Sequence, residues 1–354
     1  YRTMNAVLAP QLVADLGLTA ADLGFLTSVY FITFAAVQLP LGVALDRFGP
    51  RRVQALVLMA AALGGFLFAF SGDFMALCVG RAFIGLGVSA CFMAALKANA
   101  IWWKPERLPL VNNITATFGS LGALSATVPV ETLLGVMGWR HIFAAIAMGT
   151  LALVVLIYFV VPEKSGSHAS ASSLSDQTRE VVRIYRDRFF WRIGFMLAMF
   201  FSVYIAYQTL WAGPWLRDVA GLGRAAVADH LLLIQLGMLT GVVSSGIGAE
   251  FLVRAGIRPT TVVAAGGAAF LLVQLLLVLG VTRLAAPLWA GFGFFGAVLF
   301  LCFSIYAQNY SAHLIGRVNT CINMVLFVLT FAVQWCVGAI MDLWPGLGDG
   351  QYPV

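Results

Sequence analysis

Long apolar segments follow one another along almost the whole of this sequence. Of its 354 residues, 61% are hydrophobic and only 10% are charged, and the mean hydropathy is +0.93. An ordinary soluble domain carries about 25% charged residues. The charges here are too few to cover a water-facing surface. The composition therefore excludes a soluble enzyme and indicates a membrane protein with several spanning helices.

Polar loops divide the sequence into eleven predicted membrane spans. A spanning helix needs about 20 apolar residues, each rising about 1.5 Å. The first predicted span is partial and ends near residue 12, and the others are 21–45, 52–70, 74–98, 108–136, 141–161, 190–213, 226–249, 260–280, 284–307 and 317–341. We expect an all-α protein with eleven of twelve helices present, the first partial and the twelfth missing.

A Ser-rich, polar stretch from Pro162 to Arg188 separates six predicted spans from five. Its composition is typical of a linker that leads into a short basic amphipathic helix. We therefore expect an N-terminal six-helix bundle at 1–161, a central loop at 162–188 and a C-terminal bundle at 189–354.

Basic residues are unevenly shared between the two sets of loops. The connections between spans 2–3, 4–5, 6–7, 8–9 and 10–11 hold fourteen of the 21 Lys and Arg residues, and the opposite loops hold four. Basic loops remain on the cytoplasmic side. The net charge of +6 is thus explained by topology and not by nucleic-acid binding. We expect a multi-pass protein of the inner membrane, with the lipid bilayer as its surroundings and the central loop in the cytoplasm.

The two halves of the sequence match each other at a nearly constant offset. The matched pairs are Pro10 with Pro214, Gly17 with Gly221, Gly42 with Gly246, Asp46 with Glu250 and, after a three-residue insertion, Gly49 with Gly256 and Arg51 with Arg258. Parallel repeats of six helices are found in secondary transporters, whose substrate site lies between the halves. The offset therefore predicts two related bundles.

The loop between spans 2 and 3 contains a distinctive motif. It consists of Gly42, Asp46, Arg47, Gly49, Arg51 and Arg52. Asp46 is placed to accept hydrogen bonds from a neighbouring helix N-terminus. The three arginines are placed to contact anionic headgroups.

This pattern resembles the G-x-x-x-D-R-x-G-R-R loop of the major facilitator superfamily. A degenerate second copy contains Gly246, Glu250 and Arg254, and Arg81 with Gly85 and Gly87 resembles the family's R-x-x-x-G-x-G motif. The resemblance implies two pseudo-symmetric six-helix bundles that act by alternating access, with the motif as a gate latch. It also implies a monomer that binds a small molecule.

Arg2 is the leading candidate for a substrate ligand. Arg2, Asn5 and Pro10 resemble the first helix of the organophosphate and organic-anion branch of the family, where an Arg holds the substrate anion. The repeat places Ala206 opposite Arg2, and no Lys or Arg lies in the core of spans 7–11. A single cation fits a small carboxylate better than a phosphate dianion. A structural role for Arg2 is the alternative.

Other polar residues inside the spans are further candidates, because a charge in the bilayer is costly. Arg81 is either a second ligand or a tie between helices. Tyr204, Tyr207, Gln208 and Trp211 share one face of an α-helix, which lines either a substrate cavity or a packing seam. The candidates for proton coupling are Glu131, Asp229 and His230, with a simple interfacial role as the alternative.

The sequence thus predicts a transporter that imports a small organic anion with protons. The alternatives are a proton-coupled exporter of drugs or metabolites and a membrane sensor built on the same fold. None of the five cysteines has CxxC spacing, and no phosphate-binding loop or nucleophile constellation is present. We therefore expect no enzyme activity, no cofactor and no metal.

Overall fold

The computed structural model describes residues 1–162, 174–254 and 256–343. Within these ranges the chain is helical, with no strand. The α-helices are α1 (Asn5–Leu16), α2 (Ala20–Ala36), α3 (Gln38–Phe70), α4 (Phe74–Val88), α5 (Cys91–Trp102), α6 (Leu108–Ser125), α7 (Val128–Leu134), α8 (Trp139–Val160), α9 (Leu174–Tyr185), α10 (Arg188–Ala206), α11 (Ala212–Pro214), α12 (Arg224–Arg254), α13 (Pro259–Val278), α14 (Ala285–Val298), α15 (Leu301–Asn309) and α16 (Ala312–Met341). The predicted all-α architecture is confirmed.

The predicted spans are present, but several of them are broken by kinks. Among the described residues, eight helices are long and apolar enough to cross a membrane, fewer than the eleven predicted. Span 2 bends at Val37, so that its second part is joined to span 3 in the single long element α3. Span 4 divides into α4 and α5, and span 5 into α6 and α7. The predicted position of a twelfth helix lies outside the described residues.

The predicted central loop contains one helix, α9, where a short helix was expected to follow the Ser-rich linker. Most of that linker, residues 163–173, lies outside the described residues. The division of the chain into two bundles around this loop stays a prediction.

Two pairs of glycines that the repeat aligns have the same backbone conformation. Gly17 and Gly221 have φ values of 63° and 66°, and Gly49 and Gly256 have values of 79° and 81°. Side chains other than glycine rarely adopt this left-handed region. The chain therefore turns in the same way at corresponding places in its two halves.

The ends of the bundle are distinguished by their charges. We call the end that carries Arg47, Arg51 and Arg52 the basic end, and the end that carries Asp15 and Asp342 the opposite end. At the opposite end Asp15 accepts hydrogen bonds from Trp139 Nε1 at 2.8 Å and from Arg140 at 3.1 Å. These contacts join the ends of α1 and α8 within the first half.

The two halves meet mainly where α2 lies along α16. Gly24 faces the backbone of Gln334, and Gly338 faces the backbone of Ala20. Small residues at these points allow the two helices to approach closely. Farther along the same contact, the Phe31 ring stacks on Phe327 with ring centroids 6.0 Å apart.

We predict that Gly87→Ala lowers the thermal stability of the protein. A Cβ atom at Gly87 would overlap the backbone of Ala61, because α4 and α3 approach closely there. Overpacking of this kind costs about 1–3 kcal/mol. The control is Gly149→Ala on α8, where an added Cβ meets no atom within 4 Å. Thermal unfolding in detergent measures both, and equal melting temperatures would contradict the prediction.

Candidate functional site

Arg2 lies just before α1, where the two halves face each other. The side chain is half-buried and, among the described residues, forms no hydrogen bond or ion pair. Its guanidinium lies close enough to Tyr30 of α2 and Tyr204 of α10 to interact electrostatically with both hydroxyls. Arg2 thus acts electrostatically on one tyrosine from each half.

Arg81 supplies a second guanidinium nearby, but a buried one. It is only 1% exposed and donates one hydrogen bond, to the backbone carbonyl of Tyr1 at 3.1 Å. Its guanidinium carbon lies 5.3 Å from the centre of the Phe68 ring. Within the described chain, its Nε and second terminal nitrogen have no hydrogen-bond partner. Arg81 also acts electrostatically on Tyr30, so the two arginines share one neighbour.

Carboxamides extend this polar region along α1 and the end of α10. Asn5 Nδ2 donates to Thr27 Oγ1 at 2.7 Å, while its Oδ1 is buried without a partner in the described part of the chain. Gln208 Nε2 donates to the Tyr204 hydroxyl at 2.9 Å and to Gln235 Oε1 at 2.8 Å. Asn5, Tyr204 and Gln208 were expected here from the sequence.

Of the residues predicted to share one face of an α-helix, Tyr204 and Gln208 share a hydrogen bond, but the α-helical register does not continue to Trp211. Residues Tyr207–Trp211 form a π-helix, whose turn is wider than that of an α-helix, so α-helical spacing no longer applies. Tyr207 packs against Trp289, with ring centroids 6.0 Å apart. Trp211 Nε1 instead donates to the backbone carbonyl of Gln334, at 3.3 Å. The aromatic side chains of this segment therefore contact different helices.

Sequence reasoning missed Tyr30, Gln235 and Gln334 in this region. All three are buried polar side chains in apolar helices, and the amide of Gln334 has no partner among the described residues. The available signal was a polar residue inside a predicted span. That signal does not show which helices face each other.

At the basic end, Asp46 has a different partner from the one expected. It accepts a hydrogen bond from Lys97 Nζ at 2.5 Å, and Lys97 also donates to the Leu45 carbonyl at 2.8 Å. In this structure no described helix N-terminus donates to Asp46. Lys97 of α5 thus lies beside the motif loop.

The motif arginines have different surroundings. Arg51 donates to the Tyr158 carbonyl at 2.9 Å and lies over that ring at 5.2 Å, which ties the motif loop to α8. Arg47 lies 5.3 Å from the ring of Phe48, and both Arg47 and Arg52 are exposed. In the second copy, the side chains of Gly246, Glu250 and Arg254 lie outside the described residues.

Two cavities flank the Asp46–Lys97 pair. The larger, of about 540 Å³, lies inside the first half between the motif loop, α5 and the end of α8. The smaller, of about 300 Å³, lies between the halves and is lined by Gly42 on one side and by Gly316 and Arg317 of α16 on the other. The ion pair therefore forms part of the wall of both cavities.

At the opposite end, two contacts hold the halves together. The Asp342 carboxylate, at the end of α16, accepts from the backbone nitrogens of Ala20 at 3.1 Å and Ala21 at 2.9 Å. An anion is favourable at a helix N-terminus, which carries a partial positive charge. Glu131 of the first half and Arg224 of the second form an ion pair at 3.0 Å.

The other two candidates for proton coupling, Asp229 and His230, form no described contact with Glu131. Asp229 is exposed on α12, and His230 Nδ1 forms a hydrogen bond with the Ala226 carbonyl at 2.7 Å, one turn earlier on the same helix.

A family model settles the classification. The model of the Major Facilitator Superfamily matches residues 1–333. The chain belongs to this superfamily. The fold class and family resemblance inferred from the motifs are thereby confirmed, and the superfamily to which the chain belongs is one of membrane transporters.

Curated relatives in this superfamily have diverse names. The chain is 24% identical over 260 residues to a probable sulfoacetate transporter, SauU, of Cupriavidus necator, covering 70% of this chain and 60% of that protein. It is 22% identical to a probable L-galactonate transporter of Escherichia coli, in a match that covers 69% of this chain and 57% of that protein. It is 28% identical to a chloramphenicol resistance protein of Streptomyces lividans, in a match that covers 69% of this chain and 61% of that protein. The chain thus spans about three fifths of the length of these relatives.

Solved structures support the same fold. A mutant form of the nucleoside transporter NupG superposes with a TM-score of 0.77 at 13% identity, covering 99% of this chain and 90% of that one. An inward-facing bacterial homologue of the human lysosomal transporter Spinster superposes with a TM-score of 0.75 at 15% identity, covering 97% of this chain and 79% of that one.

We predict that Asp342→Ala opens the opposite end. The substitution removes the anion that caps α2 from the other half, which weakens closure by about 1 kcal/mol and changes the ratio of closed to open molecules roughly fivefold. Distances between spin labels on the loops of the two halves measure this ratio. The control is Asp73→Ala, which removes a cap on Ala76 N, at 2.9 Å, within the first half alone. An equal change in both variants would contradict the prediction.

Proposed function

We propose that the protein imports a small organic anion, with a carboxylate as its charged group, together with protons. The observation that carries this proposal is Arg2, a guanidinium without a hydrogen-bond or ion-pair partner in the described chain, near tyrosines of both halves. A guanidinium binds a carboxylate through two parallel hydrogen bonds. A ligand held at the junction of the halves contacts both of them as they move.

The charges near Arg2 favour a ligand with one negative charge. Arg81 is buried and donates to the Tyr1 carbonyl, whereas Arg2 is half-buried and is the more accessible of the two cations. The relatives named for sulfoacetate and L-galactonate agree with an organic anion. Asn5 and Gln208 would then contact the remainder of the substrate.

Alternating access would use contacts at the two ends of the bundle. In this structure Asp342 and the Glu131–Arg224 pair close the opposite end, and the motif loop with Asp46 borders a cavity between the halves at the basic end. The excess of Lys and Arg in its loops supports a cytoplasmic position for the basic end. With the basic end open to the cytoplasm, the conformation is inward-facing in the inner membrane. All of these contacts lie within one chain, which agrees with a monomer.

Glu131 is the best supported candidate for proton coupling. Its ion pair with Arg224 joins the two halves, so opening the opposite end separates the charges. A carboxylate that loses its cationic partner binds a proton more readily. Asp229 and His230 form no described contact between the halves.

A proton-coupled exporter is the second candidate function. The similarity to a chloramphenicol resistance protein favours it.

We predict that Arg2→Gln weakens carboxylate binding by about ten- to a hundredfold, because a hydrogen bond to a charged group contributes about 1.5–3 kcal/mol. The measurement is a thermal-shift screen of carboxylates, phosphates and cationic drugs on the full-length protein, followed by calorimetry. Arg2→Lys keeps the charge and retains part of the affinity. Arg140→Gln, at the opposite end, is the distant control and leaves binding unchanged.

The same screen separates the two candidate functions. Carboxylate stabilisation that Arg2→Gln removes supports the anion transporter. Stabilisation by lipophilic cations alone, unaffected by Arg2→Gln, overturns it and supports the exporter.

We also predict that Glu131→Gln uncouples transport from protons. In proteoliposomes a pH gradient no longer accelerates net uptake of the substrate by this variant, while exchange of substrate across the membrane continues. Asp229→Asn is the matched control and retains the response to the gradient. A normal response in Glu131→Gln would remove Glu131 from the coupling mechanism.

A further inference from the structure

Two buried side-chain oxygens in the polar region around Arg2 have no hydrogen-bond partner in the described chain. They are Asn5 Oδ1 on α1 and Gln208 Oε1 in the π-helix Tyr207–Trp211. The nitrogen of each amide already donates to neighbouring side chains. A buried acceptor without a donor is costly, so each oxygen is a place where a ligand gains by donating a hydrogen bond.

The two amides lie on neighbouring elements. Asn5 follows Arg2 by three residues, and Gln208 Nε2 donates to the Tyr204 hydroxyl, on which Arg2 acts electrostatically. The helix that begins at Asn5, α1, packs against the π-helix that contains Gln208. Both free oxygens therefore belong to the same polar region as the guanidinium that we assign to the substrate carboxylate.

The charges of this region favour a neutral donor. Arg2 and Arg81 both act electrostatically on Tyr30, so two guanidiniums lie close to it. Both cations would repel an ammonium group. Arg81 also has two buried nitrogens, Nε and one terminal nitrogen, without a partner in the part of the chain that the structure describes. A hydroxyl group is neutral and both donates and accepts, so it can pair with either kind of free atom.

The number of free acceptors sets a minimum number of hydroxyl groups. A hydroxyl has one hydrogen and donates once, so two acceptors on different elements take two hydroxyls. We propose that the substrate is a carboxylate that carries at least two hydroxyl groups, with Asn5 and Gln208 each accepting a hydrogen bond from one of them. This inference rests on the proposed function, in which Arg2 binds the carboxylate.

The test compares three-carbon acids that differ in their hydroxyl groups. Propionate has none, lactate has one and glycerate has two, and calorimetry on the full-length protein measures their affinities. We expect glycerate to bind about 25-fold more tightly than propionate, with lactate between them, because one neutral hydrogen bond is worth about a fivefold factor. Hexanoate and gluconate repeat the comparison with a longer carbon chain.

Two variants assign the preference to the amides. Asn5→Leu and Gln208→Leu each reduce the ratio of glycerate affinity to propionate affinity about fivefold. The matched control is Gln54→Leu, which retains the ratio. Gln54 Oε1 is also buried without a partner in the described residues, but Gln54 lines the larger cavity at the basic end. A ratio is insensitive to a general loss of affinity, and melting temperatures confirm that each variant is folded.

The outcomes separate this inference from the proposed function. Equal affinities for hydroxylated and plain acids, all weakened by Arg2→Gln, overturn the hydroxyl inference and leave the anion transporter supported. Tighter binding of alanine than of lactate places an ammonium group at the amides and overturns it as well. An equal fall of the ratio in Gln54→Leu has the same consequence. Binding of none of these acids in a manner that depends on Arg2 overturns both proposals.

Discussion

The contact between α2 and α16 is the interaction on which the observed arrangement of the halves depends. Glycines bring the backbones together near Ala20 and Gly24, and phenylalanine rings fill the contact farther along. In a bilayer, helices gain little from burial of apolar surface, so close packing and polar contacts decide their association. The Asp342 carboxylate supplies such a contact by capping α2 from the other half.

The polar region around Arg2 includes groups of both halves. Arg2 acts electrostatically on Tyr30 of α2, in its own half, and on Tyr204 of α10, in the other half. Polar groups buried here without partners in the described chain, such as Asn5 Oδ1, are costly in an apolar surrounding. Such groups are typical of places where a ligand or a second conformation supplies the missing partner.

The two ends of the bundle are built differently. The opposite end is closed by a carboxylate on a helix N-terminus and by the ion pair of Glu131 with Arg224, both between the halves. At the basic end, the pair of Asp46 with Lys97 lies inside the first half and borders a cavity between the halves.

The sequence by itself determined the all-α class, the repeat and the family, because apolar length, a constant offset and a local motif are properties of the chain. The equal backbone conformations of Gly49 and Gly256 follow from that repeat. Only the tertiary structure decided that Asp46 pairs with Lys97 and that a π-helix directs Trp211 toward α16. These outcomes depend on where helices kink and which faces meet, and local sequence patterns do not encode contacts between distant residues.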